Sequence, residues 1–287
     1  MDERIGVIGL GRMGHALAAR LAMQGYAVTG WTRSGIDPAA ARAAGFASVS
    51  SLADAVSAAD VLLLSLFDEA AVTDVLSRLA ALDLSGRLLV ETSTVSPEVV
   101  RSAAPAIEAA GGRIIDAPIS GGPEMVAAGT IGLFVGGAES DVARFAPIAV
   151  HLTPRAVPVG ALGAGHAAKI VNNVALGGAW QAMIESMRLG ARLGLDLPTM
   201  VELLRESPAS NPSFRTRVPK ILGEDDEVGF PVAGVVKDQT LFLRIAEAAG
   251  ENLPALTAAR GNFAAAAEAG LADADLARVI PFRVRRT

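Results

Sequence analysis

The chain of 287 residues contains no cysteine. Both a disulfide framework and thiol chemistry are therefore excluded. Nor does it hold a His/Cys/Asp cluster at metal-ligand spacing, so no metal is expected. Charged residues make up only 19% of the chain against 51% hydrophobic ones, so a large core is available. The net charge of −5 argues against nucleic acid as a partner. No apolar run is long and glycine-poor enough to span a bilayer, which argues against a membrane partner. The opening Met1-Asp2-Glu3-Arg4 is charged and runs directly into Ile5-Gly6-Val7-Ile8, unlike a secretory leader. A soluble cytoplasmic protein is the expectation, and the length allows two domains.

Glycine, by contrast, is abundant and pointedly placed. Residues 4–8 read as a short apolar strand, and residues 15–23 have helical spacing. Between them stands Gly9-Leu10-Gly11-Arg12-Met13-Gly14. This is G-x-G-x-x-G in a strand–turn–helix setting, which points to dinucleotide binding rather than to an ordinary glycine-rich turn. Gly9 permits the tight turn, Gly11 lets backbone approach a pyrophosphate, and Gly14 lets the helix pack close to the strand. The helix N-terminus then faces the phosphates.

Residues 26–31 form the second strand. Folds of this kind that take NAD usually place Asp or Glu at its end to hold the ribose hydroxyls. Here the end reads Trp31-Thr32-Arg33-Ser34. Arg33 between two hydroxyls suits a 2′-phosphate and hence NADP, although it also fits a solvated surface arginine. Asp37 is close enough to keep NAD open. Strand and helix signals then alternate, with strands at residues 47–49, 61–66, 88–92, 113–116 and 131–135, and that alternation predicts an α/β doubly wound sheet. Ligands bind beyond the carboxyl ends of such strands. Ser65-Leu66-Phe67, Thr92-Ser93-Thr94 and Asp116-Ala117-Pro118-Ile119-Ser120-Gly121-Gly122 occupy three of those ends. Ser120, Gly121 and Gly122 offer a hydroxyl and free backbone N–H groups, a cradle for a carboxylate.

After a last strand at residues 156–160 comes Gly163-Ala164-Gly165-His166-Ala167-Ala168-Lys169-Ile170-Val171-Asn172-Asn173. It opens an apolar helix that runs to residue 193 and spans roughly 40 Å, enough to cross between two domains. Small and apolar residues surround nearly all of it, so burial on most sides is expected. One lysine sits inside it. Asn173 follows Lys169 by one turn on the same face. A buried lysine is costly unless paired or functional; the plainer alternative is a lysine that snorkels to the surface. Beyond Gly194 the pattern is all-helical, with candidate helices at residues 197–206, 232–249 and 253–269. Lys237 and Asp238 fall within the second of these, where a surface ion pair is the plain reading. Arg283-Val284-Arg285-Arg286 reads as a solvated tail.

Taken together, the Gly9–Gly14 run, the Asp116–Gly122 run, the Gly163–Asn173 run and Lys237-Asp238 resemble the β-hydroxyacid dehydrogenases. That family includes 3-hydroxyisobutyrate dehydrogenase, tartronate semialdehyde reductase and the glyoxylate/succinic semialdehyde reductases. Four motifs match in order over nearly the whole chain. The resemblance implies an N-terminal Rossmann domain at residues 1–162, an interdomain helix at 163–194 and a helical substrate and dimerisation domain at 195–287. It also implies a homodimer or a dimer-based tetramer. By the same resemblance Lys169 matches the catalytic lysine and Asn173 the asparagine beside it. Ser120, Gly121 and Gly122 match the loop that binds the substrate carboxylate. Leu66, Phe67, Thr94 and Lys237 match cofactor contacts, and Thr32, Arg33 and Ser34 look like the NADP-using branch. Phe67 departs from the family, which often has proline there. His166 is similar to 6-phosphogluconate dehydrogenase, but this chain is too short for that enzyme's large helical domain.

The chemistry suits these residues. Oxidation of a 3-hydroxy acid moves hydride to a nicotinamide while a base takes the hydroxyl proton, and a lysine can be that base if burial lowers its pKa. An imine reductase is the nearest rival, but those enzymes usually carry Asp or Tyr in place of Lys169. A non-catalytic NADP sensor is a second rival, and it would be expected to lose the proton donor.

Overall fold

A run such as Val61-Leu62-Leu63-Leu64 has no polar alternation, so a strand built from it needs cover on both faces. The computed structural model describes residues 3–285, leaving Met1, Asp2, Arg286 and Thr287 outside the described residues. It provides that cover through regular alternation. The first half runs β1 (Ile5–Ile8), α1 (Arg12–Met23), β2 (Val28–Trp31), α2 (Pro38–Ala43), β3 (Ala47–Ser48), α3 (Leu52–Ala58), β4 (Val61–Leu64), α4 (Glu69–Ala80), β5 (Leu88–Glu91) and α5 (Pro97–Ala109). It continues through β6 (Arg113–Asp116), β7 (Ile119–Ser120), α6 (Pro123–Ala128), β8 (Gly132–Gly136), α7 (Glu139–Ala149) and β9 (Arg155–Gly160).

These strands form one nine-stranded sheet in the order β3-β2-β1-β4-β5-β6-β8-β7, with β9 on β8. Neighbours from β3 through β6 are parallel; β8 is antiparallel to β6 and β7 and parallel to β9. The two-residue β7 at Ile119–Ser120 is absent from the sequence reading, because it is too short to carry any periodicity. Alternate residues of each strand serve opposite faces. Ile5, Val7, Val61, Leu63, Leu88 and Val90 pack with Leu17 and Leu21 of α1 and Phe145 of α7. Ile8, Leu62, Leu64 and Leu89 pack with Leu76 and Leu79 of α4 and Val100 of α5. Each such side chain, fully buried, contributes about 1.5–3 kcal/mol, so continuous apolar strands and helices on both faces require one another. The order reverses between β1 and β4, the point where such sheets open a crevice at their carboxyl edge.

The chain divides into two compact units between Lys169 and Ile170, and helix α8 (Ala164–Arg192) runs through the division. The second unit is helical: α9 (Leu197–Arg205), α10 (Pro212–Arg215), α11 (Val218–Leu222), α12 (Val232–Ala248), α13 (Pro254–Ala266) and α14 (Val279–Arg285). Its core gathers Trp180, Met183, Ile184 and Met187 of α8 around Phe214, Phe263 and Ile280. The α/β class, the doubly wound sheet, the long helix and the helical remainder are those the sequence implies.

One local expectation fails. The residues around Arg283 are no solvated tail: Val279–Arg285 is a helix with Val279, Ile280 and Pro281 buried, and Phe282 and Val284 pack against the second core. Three arginines masked the apolar positions between them; of the expected tail, only Arg286 lies outside the described residues. Helix α8 is buried or half-buried on most sides, as expected, but one line along it is bare. Ala167, Val171, Ala175, Ala182 and Leu189 form an exposed line along it, with Val171 72% and Leu189 61% accessible. Apolar residues all round a helix say that it seeks cover, not that its own chain provides it. Among the described residues no helix is long and apolar enough to cross a membrane.

Candidate active site

The loop from β1 into α1 is shaped by what glycine allows. Gly9 has φ of 93°, a left-handed conformation, and a Cβ there would collide with the Ser65 carbonyl oxygen. A Cβ on Gly14 would collide with the Gly9 carbonyl oxygen, so α1 can start this close to β1 only with glycine at that position. Gly11 differs: a Cβ there would meet nothing within 4 Å. Steric crowding within the chain therefore accounts for Gly9 and Gly14 but not for Gly11, whose open backbone is what a pyrophosphate needs. Gly11 caps α1 without a side-chain hydrogen bond, and the first turn carries no acid. The start of the helix thus has neither a side-chain cap nor a competing negative charge. Leu10 is half-buried, with its side chain against Gly30, while Arg12 is exposed and Met13 half-buried.

The end of β2 lies beside this loop, where Gly9 donates its N–H to the Trp31 carbonyl at 2.8 Å. Trp31 is buried, with the Arg78 guanidinium 5.4 Å from its ring centroid. Thr32 is half-buried, Arg33 and Ser34 are exposed, and the turn closes with the Gly35 N–H on the Thr32 carbonyl at 3.0 Å. Asp37, the alternative ribose ligand, caps α2 and accepts the Ala39 N–H at 2.9 Å. Its carboxylate is engaged with its own helix.

Leu66 and Phe67 follow β4, and Thr94 follows β5. Leu66 donates its N–H to Ser93 Oγ at 2.8 Å, which ties the two strand ends together. Phe67 is 67% exposed. Beyond β6, Ser120 is half-buried in β7, opposite Gly132 of β8. Gly121 has φ of 145°, so the loop's turn needs glycine there. Gly122 does not: its φ is −105°, and the nearest atoms to a Cβ there are those of the Glu124 carboxylate, an exposed side chain.

Lys169 lies within α8 at 8% exposure and does not snorkel. Its ammonium donates to the Ile119 carbonyl at 2.6 Å, so the lysine is held by the residue next to Ser120. The helix is itself fixed from below. Asp116, fully buried at the end of β6, accepts the N–H of Gly163 on one carboxylate oxygen and that of His166 on the other, each at 2.7 Å. Burial pushes the Asp116 carboxyl above its ordinary range; the His166 imidazole and those two N–H groups pull it back. The His166 Nε2 lies 3.3 Å from Glu91 Oε2, with both side chains fully buried. That is an ion-pair distance without hydrogen-bond alignment. The Asp116–Gly122 run is seen in the sequence, but the grip of Asp116 on α8, the place of Glu91 and the anchoring by the Ile119 carbonyl are not, since no spacing rule links residue 116 to residue 163.

Thus the structure places the glycine loop, the β2 end, Leu66, Phe67, Thr94, Ser120 and Lys169 in the first unit, along one edge of the sheet or on α8. Asn173 and Lys237 belong to the second. There Asn173 is half-buried and accepts from Asn172 Nδ2 at 2.9 Å. Lys237 pairs with the buried Asp238 at 2.8 Å, so the pair is not the surface one that the plain reading describes. Among the described residues no group of His, Cys, Asp or Glu could hold a metal ion.

A glycine loop at the switch point of a doubly wound sheet is a dinucleotide-binding arrangement. The NAD binding domain of 6-phosphogluconate dehydrogenase matches residues 4–160, and the NAD-binding domain of NADP-dependent 3-hydroxyisobutyrate dehydrogenase matches residues 163–282. The 2-(hydroxymethyl)glutarate dehydrogenase of Eubacterium barkeri is 30% identical over 281 residues, covering 96% of this chain and 93% of that enzyme. A probable 3-hydroxyisobutyrate dehydrogenase of Mycobacterium tuberculosis is 30% identical over 283 residues, 96% of each chain. The solved Mycobacterium tuberculosis 3-hydroxyisobutyrate dehydrogenase with L-serine superposes with a TM-score of 0.86 at 31% identity, covering 98% of this chain and 99% of the other. The chain belongs to the β-hydroxyacid dehydrogenase family and is an NAD(P)-dependent hydroxyacid dehydrogenase.

Proposed function

We propose that the enzyme interconverts a small 3-hydroxy acid and its semialdehyde with NADP(H), using Lys169 as the general acid and base. The observation that carries this reading is the buried Lys169 ammonium, held 2.6 Å from the carbonyl of Ile119 beside the Ser120–Gly122 loop. The nicotinamide, when bound, supplies or accepts the hydride. Lys169 Nζ takes the substrate's hydroxyl proton in the oxidative direction and returns it in the reductive one. The Ser120 hydroxyl and the N–H groups of Gly121 and Gly122 hold the substrate carboxylate and fix which carbon faces the nucleotide. Asn173, one turn further along α8, orients the substrate or the lysine. Gly9, Leu10, Gly11, Arg12, Met13 and Gly14 hold the pyrophosphate. Thr32, Arg33 and Ser34 hold the 2′-phosphate, and Leu66, Phe67, Thr94 and Lys237 line the rest of the nucleotide.

Steady-state turnover with NADPH on a panel of semialdehydes and cyclic imines tests the reading. Semialdehyde reduction is expected. Turnover of imines alone would make the enzyme an imine reductase, and tight nucleotide binding with no turnover would make it a sensor. Gly122→Val probes the carboxylate role, because the loop's φ accepts valine and the nearest atoms to its Cβ belong to the flexible Glu124 side chain. Substrate KM should rise roughly 10–100-fold, the equivalent of one lost charged hydrogen bond, with nucleotide affinity unchanged. The opposite pattern would remove this loop from substrate binding.

The exposed line on α8 and the accessible Leu193 (74%) and Leu203 (61%) support a homodimer or a dimer-based tetramer. Light scattering should give a mass of at least twice the 29.3 kDa of one chain. A single-chain mass at micromolar concentration would refute the assembly.

A further inference from the structure

We propose that Asp116, His166 and Glu91 form a positioning device that sets the height and rotation of Lys169 over the Ser120–Gly122 loop. The proposal rests on the reading of Lys169 as acid and base. Three ionisable groups in a protein interior are costly, and their charges need partners. All three here are within 1% of complete burial, and their partners form a single chain. Leu66 donates its N–H to Ser93 Oγ at 2.8 Å, and Ser93 donates its own N–H to the Glu91 carboxylate at 3.0 Å. Glu91 Oε2 stands 3.3 Å from His166 Nε2. The His166 and Gly163 N–H groups both end on Asp116. The chain thus runs from the end of β4 through the ends of β5 and β6 into the first turn of α8.

The geometry around Lys169 gives this network its purpose. The segment from Asp116 to Ile119 and the first turns of α8 are fastened at two points. At one, the Asp116 carboxylate grips the N–H groups of Gly163 and His166; at the other, the Lys169 ammonium grips the Ile119 carbonyl. A helix held at its N-terminus by a two-oxygen acceptor has its rotation fixed, and rotation decides where a side chain one turn later points. Gly136 and Gly165 keep this grip tight. A Cβ on Gly136 would come within 2.5 Å of Asp116 Oδ1, and one on Gly165 would collide with the Phe134 carbonyl oxygen. His166 closes the other side, holding α8 against β5. The three groups touch neither nucleotide nor substrate in this scheme and act through the lysine.

The test is a double-mutant cycle on the full-length enzyme with Asp116→Asn, Glu91→Gln and Lys169→Ala. Asparagine offers one acceptor oxygen where two N–H groups need one each. Glutamine keeps the Ser93 bond but changes what faces His166. In the otherwise wild-type enzyme, each should lower kcat roughly 10–100-fold, the scale of a misplacement of about 1 Å, with nucleotide affinity within twofold of wild type. In the Lys169→Ala background, neither should reduce the residual turnover further. An unchanged kcat in a folded variant would overturn the proposal, and so would an equal loss in both backgrounds. Should Asp116→Asn fail to fold, Glu91→Gln alone decides by the same two readouts. Failure of the underlying reading looks different: Lys169→Ala by itself would then retain wild-type turnover.

Discussion

Lys169→Ala is expected to lower kcat roughly 10²–10⁴-fold while leaving nucleotide affinity unchanged. The lysine is the ionisable side chain placed beside the Ser120–Gly122 loop on a buried stretch of α8, fixed by the Ile119 carbonyl. Alanine keeps the helix and removes the proton carrier. Lys169→Arg should not restore turnover: a guanidinium stays protonated at any working pH and cannot accept the hydroxyl proton. Fluorescence titration of NADPH and turnover measured on the same preparations separate loss of chemistry from loss of binding. Near wild-type kcat in the alanine variant would remove Lys169 from the mechanism. Recovery in the arginine variant would show that its charge, and not proton transfer, is what matters.

Arg33→Ala should reduce the preference for NADPH over NADH by roughly one to two decades, because a charged hydrogen bond is worth about 1.5–3 kcal/mol. A carboxylate at this strand end would repel a 2′-phosphate, whereas a guanidinium can pair with it through its planar fork and the hydroxyls of Thr32 and Ser34 add donors. Arg33 and Ser34 are exposed on the turn that Gly35 closes onto Thr32. Asp37, the competing candidate, already accepts the Ala39 N–H. The comparison is kcat/KM with both nucleotides, backed by direct titration of each. A wild-type preference for NADH, or an unchanged ratio in the variant, would overturn the assignment.

Much of this molecule is written locally. Gly14 is legible because its constraint, the Gly9 carbonyl oxygen, lies five residues back, and Gly9 because its left-handed φ belongs to the same turn, although the atom that crowds it, the Ser65 carbonyl oxygen, is distant in sequence. The apolar runs of β4 and β5 are legible because burial on both faces leaves no polar position to confuse. Lys169 stands out because no other Lys, Arg, Asp or Glu falls between residues 164 and 184 of that helix. What stays hidden is what a distant partner decides. Asp116 acts 47 and 50 residues away, on Gly163 and His166, and nothing in its neighbourhood announces that. The exposed line on α8 is hidden for the converse reason: alanine and valine are the same letters whether covered or bare. The helix at Val279–Arg285 is disguised by its arginines, which leave the apolar face visible only once the second core is assembled.

The margins of the sheet bear on how this chain behaves when crowded. An open β edge is a template for other strands, and long flat edges recruit neighbouring molecules into aggregates. One margin, β3, is only the two residues Ala47–Ser48, too little ladder to recruit another strand. At the other, β9 is accessible along most of its length and carries Val157 at 47% exposure, but Pro158 stands next to it. Proline has no N–H to offer an incoming strand and is confined to such margins. The register of β8 and β9 also shifts between Val135 and Gly136, which spoils a straight edge further. The two margins of a sheet rich in uninterrupted Val and Leu thus offer little ladder to a second copy: a dipeptide at one side, and at the other a strand broken by an imino acid.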